Sequence, residues 1–182
     1  GEAQAAKVTL TRHGRAIELV KTDAKWALGT PDSGRVATKA VADLCSAVGG
    51  IYIDEFVKDQ PANLAIYGLD NPSTVVRIEV PAIGGAGDAA DGADKPDTTQ
   101  SAAAPEATIL RIGAPTDLKK EKYFATLTTV KEGGAAGGDV VFSIGKSDVE
   151  KVAKSVDDLR DPRITLLTAV EVNGLAIEQT GK

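Results

Sequence analysis

Gly145-Lys146-Ser147 stands where a strand-like run meets a helix-like one, which is the setting of a phosphate-cradling loop. Such a loop lines backbone amides and a lysine along a polyphosphate, and it needs a further glycine five positions before the Gly-Lys pair. Val140 occupies that position, so strand residues would have to form the cradle and nucleotide binding is not expected. Asp88, Asp91, Asp94 and Asp97 recur at every third position. A calcium loop takes ligands at every second position and closes with a bidentate glutamate, so this run implies at most loose cation contact. His13 is the only histidine and Cys45 the only cysteine. A Ser-His-Asp or Cys-His system would have to run through His13. His13-Gly14, however, reads as a solvated hairpin tip, and Cys45 falls on an apolar helix face. Asp157, Asp158 and Asp161 surround Arg160. That guanidinium is expected to pair with the carboxylates and the helix-end carbonyls, fixing a helix exit instead of supplying an acid or base. These patterns predict no catalytic residues, no metal ligands and no cofactor.

The elements that would position these groups alternate between strand and helix. Residues 8–12 and 15–20 read as a β-hairpin with Gly14 in its tight turn, and 24–28 as a third short strand. Trp26, the only tryptophan, is expected to anchor the core. Ser33-Gly34 is read as opening a helix that runs to Val48. Val36, Val41, Leu44, Cys45 and Val48 then share one face, and Gly49-Gly50 ends the helix. Extended residues 51–57 and a helical turn over 61–69 lead into Tyr67-Gly68-Leu69-Asp70-Asn71-Pro72. Gly68 supplies a positive φ, and Pro72 pushes Asn71 toward an extended backbone, so this stretch reads as a structural corner. Beyond it Val76, Ile78 and Val80 face one way and Arg77 and Glu79 the other, as in a half-buried strand. Strands resume at 108–112, 123–130 and 139–144. Ser147 and Glu150 match a capping box that would start the next helix, and a closing hairpin is expected around Asn173-Gly174.

Between these elements, residues 82–106 hold eight alanines, four glycines, four aspartates and no aromatic. Such a stretch cannot bury enough apolar surface to offset its ordering entropy, so a mobile loop is expected there. The net charge of −5 comes from 21 basic and 26 acidic residues with no basic stripe, and aromatics make up 4 %. Nucleic-acid binding, which needs clustered cations and stacking platforms, is therefore not expected. No apolar run approaches the roughly 20 residues needed to cross a bilayer. The chain contains no methionine. It is expected to be a trimmed piece of a longer protein, with residues 1–6 as a tag scar or linker.

The expected fold class is α+β, with antiparallel sheets and one main helix packed on each of two similarly built halves, 7–70 and 71–182; the alternative is one continuous domain. Gly14-Arg15-Ala16-Ile17-Glu18 and Gly174-Leu175-Ala176-Ile177-Glu178 share Gly, Ala, Ile and Glu at the same offsets, which leaves room for a second repeat.

Several pieces, taken in order, carry a family resemblance. They are Val8-Thr9-Leu10, Ile17-Glu18-Leu19-Val20, Trp26, the helix over 41–48 and Tyr67-Gly68-Leu69-Asp70-Asn71-Pro72. Ile112-Gly113, Tyr123-Phe124-Ala125 and Asp158-Leu159-Arg160-Asp161 complete the set. The chain resembles the domain of unknown function 4340 family, found in bacterial proteins encoded beside gliding-motility-type ABC transporter components. The resemblance implies an extracytoplasmic domain tethered by an N-terminal membrane helix and attached to a transporter-like complex. It supplies no catalytic residue. A non-enzymatic interaction or scaffold module is the expectation. The alternatives are a hydrolase-like enzyme with its site assembled between the halves, and a self-assembling structural repeat. The residues expected to matter structurally are Trp26, Gly68, Pro72, Ser147, Glu150, Arg160 and Asp161.

Overall fold

The computed structural model describes residues 4–29, 34–81, 106–131 and 140–163. The expectations for the loop up to residue 105, the four spaced aspartates and the hairpin around Asn173-Gly174 lie outside those residues.

Strand β1 (Lys7–Arg12) and strand β2 (Arg15–Thr22) form the first hairpin. His13 and Gly14 make its two-residue turn with φ of 47° and 78°, the paired positive values that match strand twist. Asp23 and Ala24 repeat the device before β3 (Lys25–Leu28). Alternation places Val8, Leu10, Ile17, Leu19, Trp26 and Leu28 in the core. Helix α1 (Thr38–Gly49) follows, burying Val41, Leu44, Cys45 and Val48. Strand β4 (Ile53–Asp59) comes next, then a 3-10 turn at Ala65–Tyr67. Strands β5 (Thr74–Val80), β6 (Glu106–Pro115), β7 (Lys122–Lys131) and β8 (Val140–Gly145) complete the sheet. Two short helices close the described chain, α2 (Lys146–Val152) and α3 (Val156–Leu159).

The two-halves expectation is overturned. Among the described residues, eight strands form one antiparallel sheet in the order β3-β2-β1-β5-β6-β7-β8-β4. β1 pairs directly with β5, from Lys7 opposite Glu79 to Arg12 opposite Thr74, so the supposed boundary between halves is a continuous ladder. Nor does each half carry its own helix, because α2 has only 7 residues and packs against α1. The connection through α1 carries the chain from one sheet edge, β3, to the opposite edge, β4. The helix thereby covers a single core that includes Leu10, Val76, Leu110, Ile112, Phe142 and Ile144. Alternation identified which face of a strand is buried but carried no information about its neighbour. Closure cost rises only logarithmically with loop length, so distant pairings such as β1 with β5 are cheap.

Two helix starts also differ from expectation. Arg35 and Val36 do not begin α1; they bridge to Ala27 and Arg160, and the helix starts only at Thr38. Ser147 and Glu150 do not form a capping box. β8 runs through Gly145, which is itself the N-cap, and no side chain caps α2. The Lys146 amide donates instead to the Glu121 carbonyl at 2.8 Å. The capping box lies further on, at α3: the Ser155 hydroxyl accepts from the Asp158 amide, and the Asp158 carboxylate accepts from the Ser155 amide at 2.8 Å.

Candidate functional site

The corner at 67–72 is clamped onto the end of β6. Gly68 has φ of +66°, and its amide donates to the Ala65 carbonyl at 2.9 Å. Leu69 is buried, and the Tyr67 ring meets Phe124 edge-on at 5.1 Å. The Ser73 amide donates to the Ile112 carbonyl at 2.9 Å, which sets Gly113 directly under the turn. This corner joins β5 to β6 and borders a shallow hollow lined by Asn71, Ser73, Lys120 and Tyr123, which among the described residues includes no carboxylate, histidine or cysteine.

Charge gathers elsewhere, at the β1–β2 turn. A cleft of about 310 Å³ opens between that turn and α3, lined by Arg12, His13, Arg15, Lys154, Asp157 and Arg160 among others. Local contacts hold its walls. The Arg12 guanidinium donates from Nη1 to the Ala153 carbonyl at 3.2 Å. Leu159 is fully buried in the core, and its carbonyl accepts from the Ala37 amide at 3.0 Å. The Ser155 hydrogen bonds hold the Asp158 carboxyl below the usual carboxylate range, first through the backbone amide and then through the hydroxyl.

Arg160 and Asp161 divide differently from the expected cluster. Arg160 reaches Asp157 at 3.7 Å, whereas Asp161 is gripped by Arg163 through Nε at 2.9 Å and Nη2 at 2.7 Å. The Asp161 side chain is 5 % exposed. Hydrogen bonds from the Arg163 side chain, then from its amide, pull the Asp161 carboxyl from about 3.8 to about 2. A depressed folded-state value means that this stabilisation is fully present above the ordinary carboxylate range and is lost as pH falls toward 2. Asp161→Asn is therefore expected to flatten the fall in melting temperature between about pH 4 and pH 2. Identical slopes for the two proteins would show that the pair contributes nothing.

At the far edge of the sheet, β4 pairs with β8 and, among the described residues, has no strand on its other side. After Ile53 every residue of β4 is exposed. Phe56 is 69 % exposed and the preceding Tyr52 74 %, with Val57 also open to solvent. Register shifts interrupt the β4–β8 ladder between Ile53 and Glu55 and between Phe56 and Lys58. Bulges bend an edge and limit indiscriminate pairing. The aromatic and aliphatic side chains nevertheless remain in water.

Apart from His13, which lines that cleft, the remaining chemistry-bearing residues of the described chain do not converge. Cys45 is buried on α1, His13 sits at the exposed hairpin tip, and Ser147 lies inside α2. Glu150 reaches Lys146 at 3.7 Å, Trp26 is buried with the Lys21 ammonium 5.6 Å from its ring centre, and Pro72 is part-buried in the corner. Among the described residues no three His, Cys, Asp or Glu side chains gather as metal ligands. Sequence reading missed the cationic cleft because its walls come from residues 12–17 and 154–160, which neither spacing nor periodicity connects. It likewise found β4 as extended but not as a sheet edge.

A family model described as a domain of unknown function (DUF4340) matches residues 6–182. No curated protein and no solved structure matches the chain.

Proposed function

The chain belongs to the DUF4340 family, and on that premise we propose that it is a non-enzymatic interaction or scaffold module that docks a partner protein along β4. The module works outside the cytoplasm of a bacterial cell, anchored to a membrane, beside the subunits of an ABC-type transporter. The β4 edge carries the docking part of this reading, with Phe56 and Tyr52 held in solvent. The family resemblance supports the setting. An extended segment of the partner added to such an edge gains main-chain hydrogen bonds, while Phe56 and Val57 offer apolar anchors.

The test is co-purification of the membrane-anchored protein with transporter subunits, comparing the unaltered chain with Phe56→Lys. Phe56 is exposed, so the substitution is expected to leave the melting temperature unchanged. Recovery of transporter subunits is expected to fall at least about tenfold, the loss typical of a buried aromatic anchor. Undiminished recovery with Phe56→Lys rejects the β4 edge. Failure of the unaltered protein to recover any transporter subunit rejects the association itself.

A further inference from the structure

We propose that the cleft between the β1–β2 turn and α3 binds the phosphate group of a small anionic ligand. Arg12, Lys154 and Arg160 bring three cations to its wall against one lining carboxylate, Asp157, in a chain whose net charge is −5. Gathering like charges repels them from one another, and a bound oxyanion relieves that repulsion. Among the described residues Asp158 also lies near: it accepts from the Ser155 amide at 2.8 Å and hydroxyl at 2.7 Å, and its charge offsets part of that of Lys154 and Arg12 from outside the cleft lining.

The donors are partly pre-set. A guanidinium carries five N–H groups in a rigid fork, and the Arg12 contact with the Ala153 carbonyl orients that fork using one nitrogen, Nη1. Arg160 leans on Asp157 at 3.7 Å, but that carboxylate is 91 % exposed. So long and wet an ion pair exchanges readily for a phosphate oxygen. Ile17, buried beneath the turn, and part-buried Val156 supply apolar wall. The volume of about 310 Å³ lies at the lower limit for a small-molecule site, which suits a phosphate with a small organic remainder and not a nucleotide. This site lies at the β1–β2 end of the sheet, away from β4, and does not depend on the docking edge.

A free phosphate compound and a phospholipid headgroup carry the same chemistry, so the experiment has two arms. Amide resonances of the isotope-labelled protein are followed while inorganic phosphate is added at constant ionic strength, and separately while phosphatidylglycerol vesicles are added. Saturable shifts confined to residues 12–17 and 154–160 are expected in at least one arm. A response to phosphate alone assigns a soluble ligand, and one to vesicles alone assigns a headgroup. Lys154→Gln is expected to weaken the response about tenfold, the loss of one charge-assisted contact. Because Arg12 also ties down the Ala153 carbonyl, Arg160→Gln is the second variant in place of Arg12. Shifts that never saturate, that chloride reproduces, or that survive both substitutions at full strength would overturn the proposal, as would silence in both arms.

Discussion

Gly113→Ala is expected to lower the melting temperature by about 6–12 °C, from a destabilisation of about 3 kcal/mol. A Cβ on Gly113 would press into the Tyr67 carbonyl oxygen and lie 3.0 Å from the Gly68 carbonyl carbon. Both are backbone atoms, so no rotamer change relieves the clash, and either β6 or the turn must move. Moving the turn breaks the Ser73–Ile112 hydrogen bond and separates Tyr67 from Phe124. Gly68→Ala strains the same contact from the other side. Its φ of +66° is unfavourable for alanine, and the added Cβ would meet the Ala114 nitrogen at 2.8 Å. Because one displacement of the turn relieves both, the double variant should lose less than the sum of the two single losses. Thermal melts of the three variants decide the matter. A Gly113→Ala protein that melts within about a degree of the parent would mean the corner is not clamped.

The same corner shows what could be read from residues alone. Gly68 and Pro72 announced a turn because positive φ and fixed φ are local properties. That Gly113, more than forty positions later, must also be a glycine was illegible, because a close approach is a fact about two distant segments. Strand faces behaved like the turn: Val8, Leu10, Ile17, Leu19 and Val76 alternate and are all buried. Strand neighbours behaved like Gly113. Nothing in the alternation of β1 names β5 as its partner, and the supposed halves dissolved on that single ladder. β4 carries no alternation at all, since an edge strand exposed on both faces has none to show. The misplaced capping box has a chemical explanation. Ser-x-x-Glu at Ser147 and Ser-x-x-Asp at Ser155 are the same kind of pattern on two different helices; β8 continuing through Gly145 places Ser147 inside α2, whereas Ser155 stands at the N-cap of α3. The cationic cleft was the least legible feature, because only the packing of α3 against Val36 and Ala37 brings Arg160 to Arg12.

Leu159→Ala is expected to cost about 2–5 kcal/mol, or about 5–15 °C in melting temperature, while Arg160→Ala next to it costs less than about 1 kcal/mol. The charged exit looked like the work of Arg160, but its ion pair with Asp157 is 3.7 Å long and the carboxylate is 91 % exposed. Such pairs contribute little because solvent screens them and ordering both side chains costs entropy. Leu159, in contrast, is 0 % exposed and belongs to the cluster that holds Leu44, Val48 and Val152. Truncating it leaves a cavity that the surrounding sheet and α1 cannot easily collapse to fill. The Ala37–Leu159 and Asp161–Arg35 backbone hydrogen bonds then lose the packing that brings their partners together. Hydrogen exchange separates two ways this loss can appear. If α3 is part of the one cooperative core, Leu159→Ala lowers the global melting temperature and speeds exchange across α1 and the central strands alike. If only the Ala37 and Asp161 amides exchange faster and the melt is unmoved, α3 docks as a separate low-stability unit and the single-core account of the helix layer is wrong.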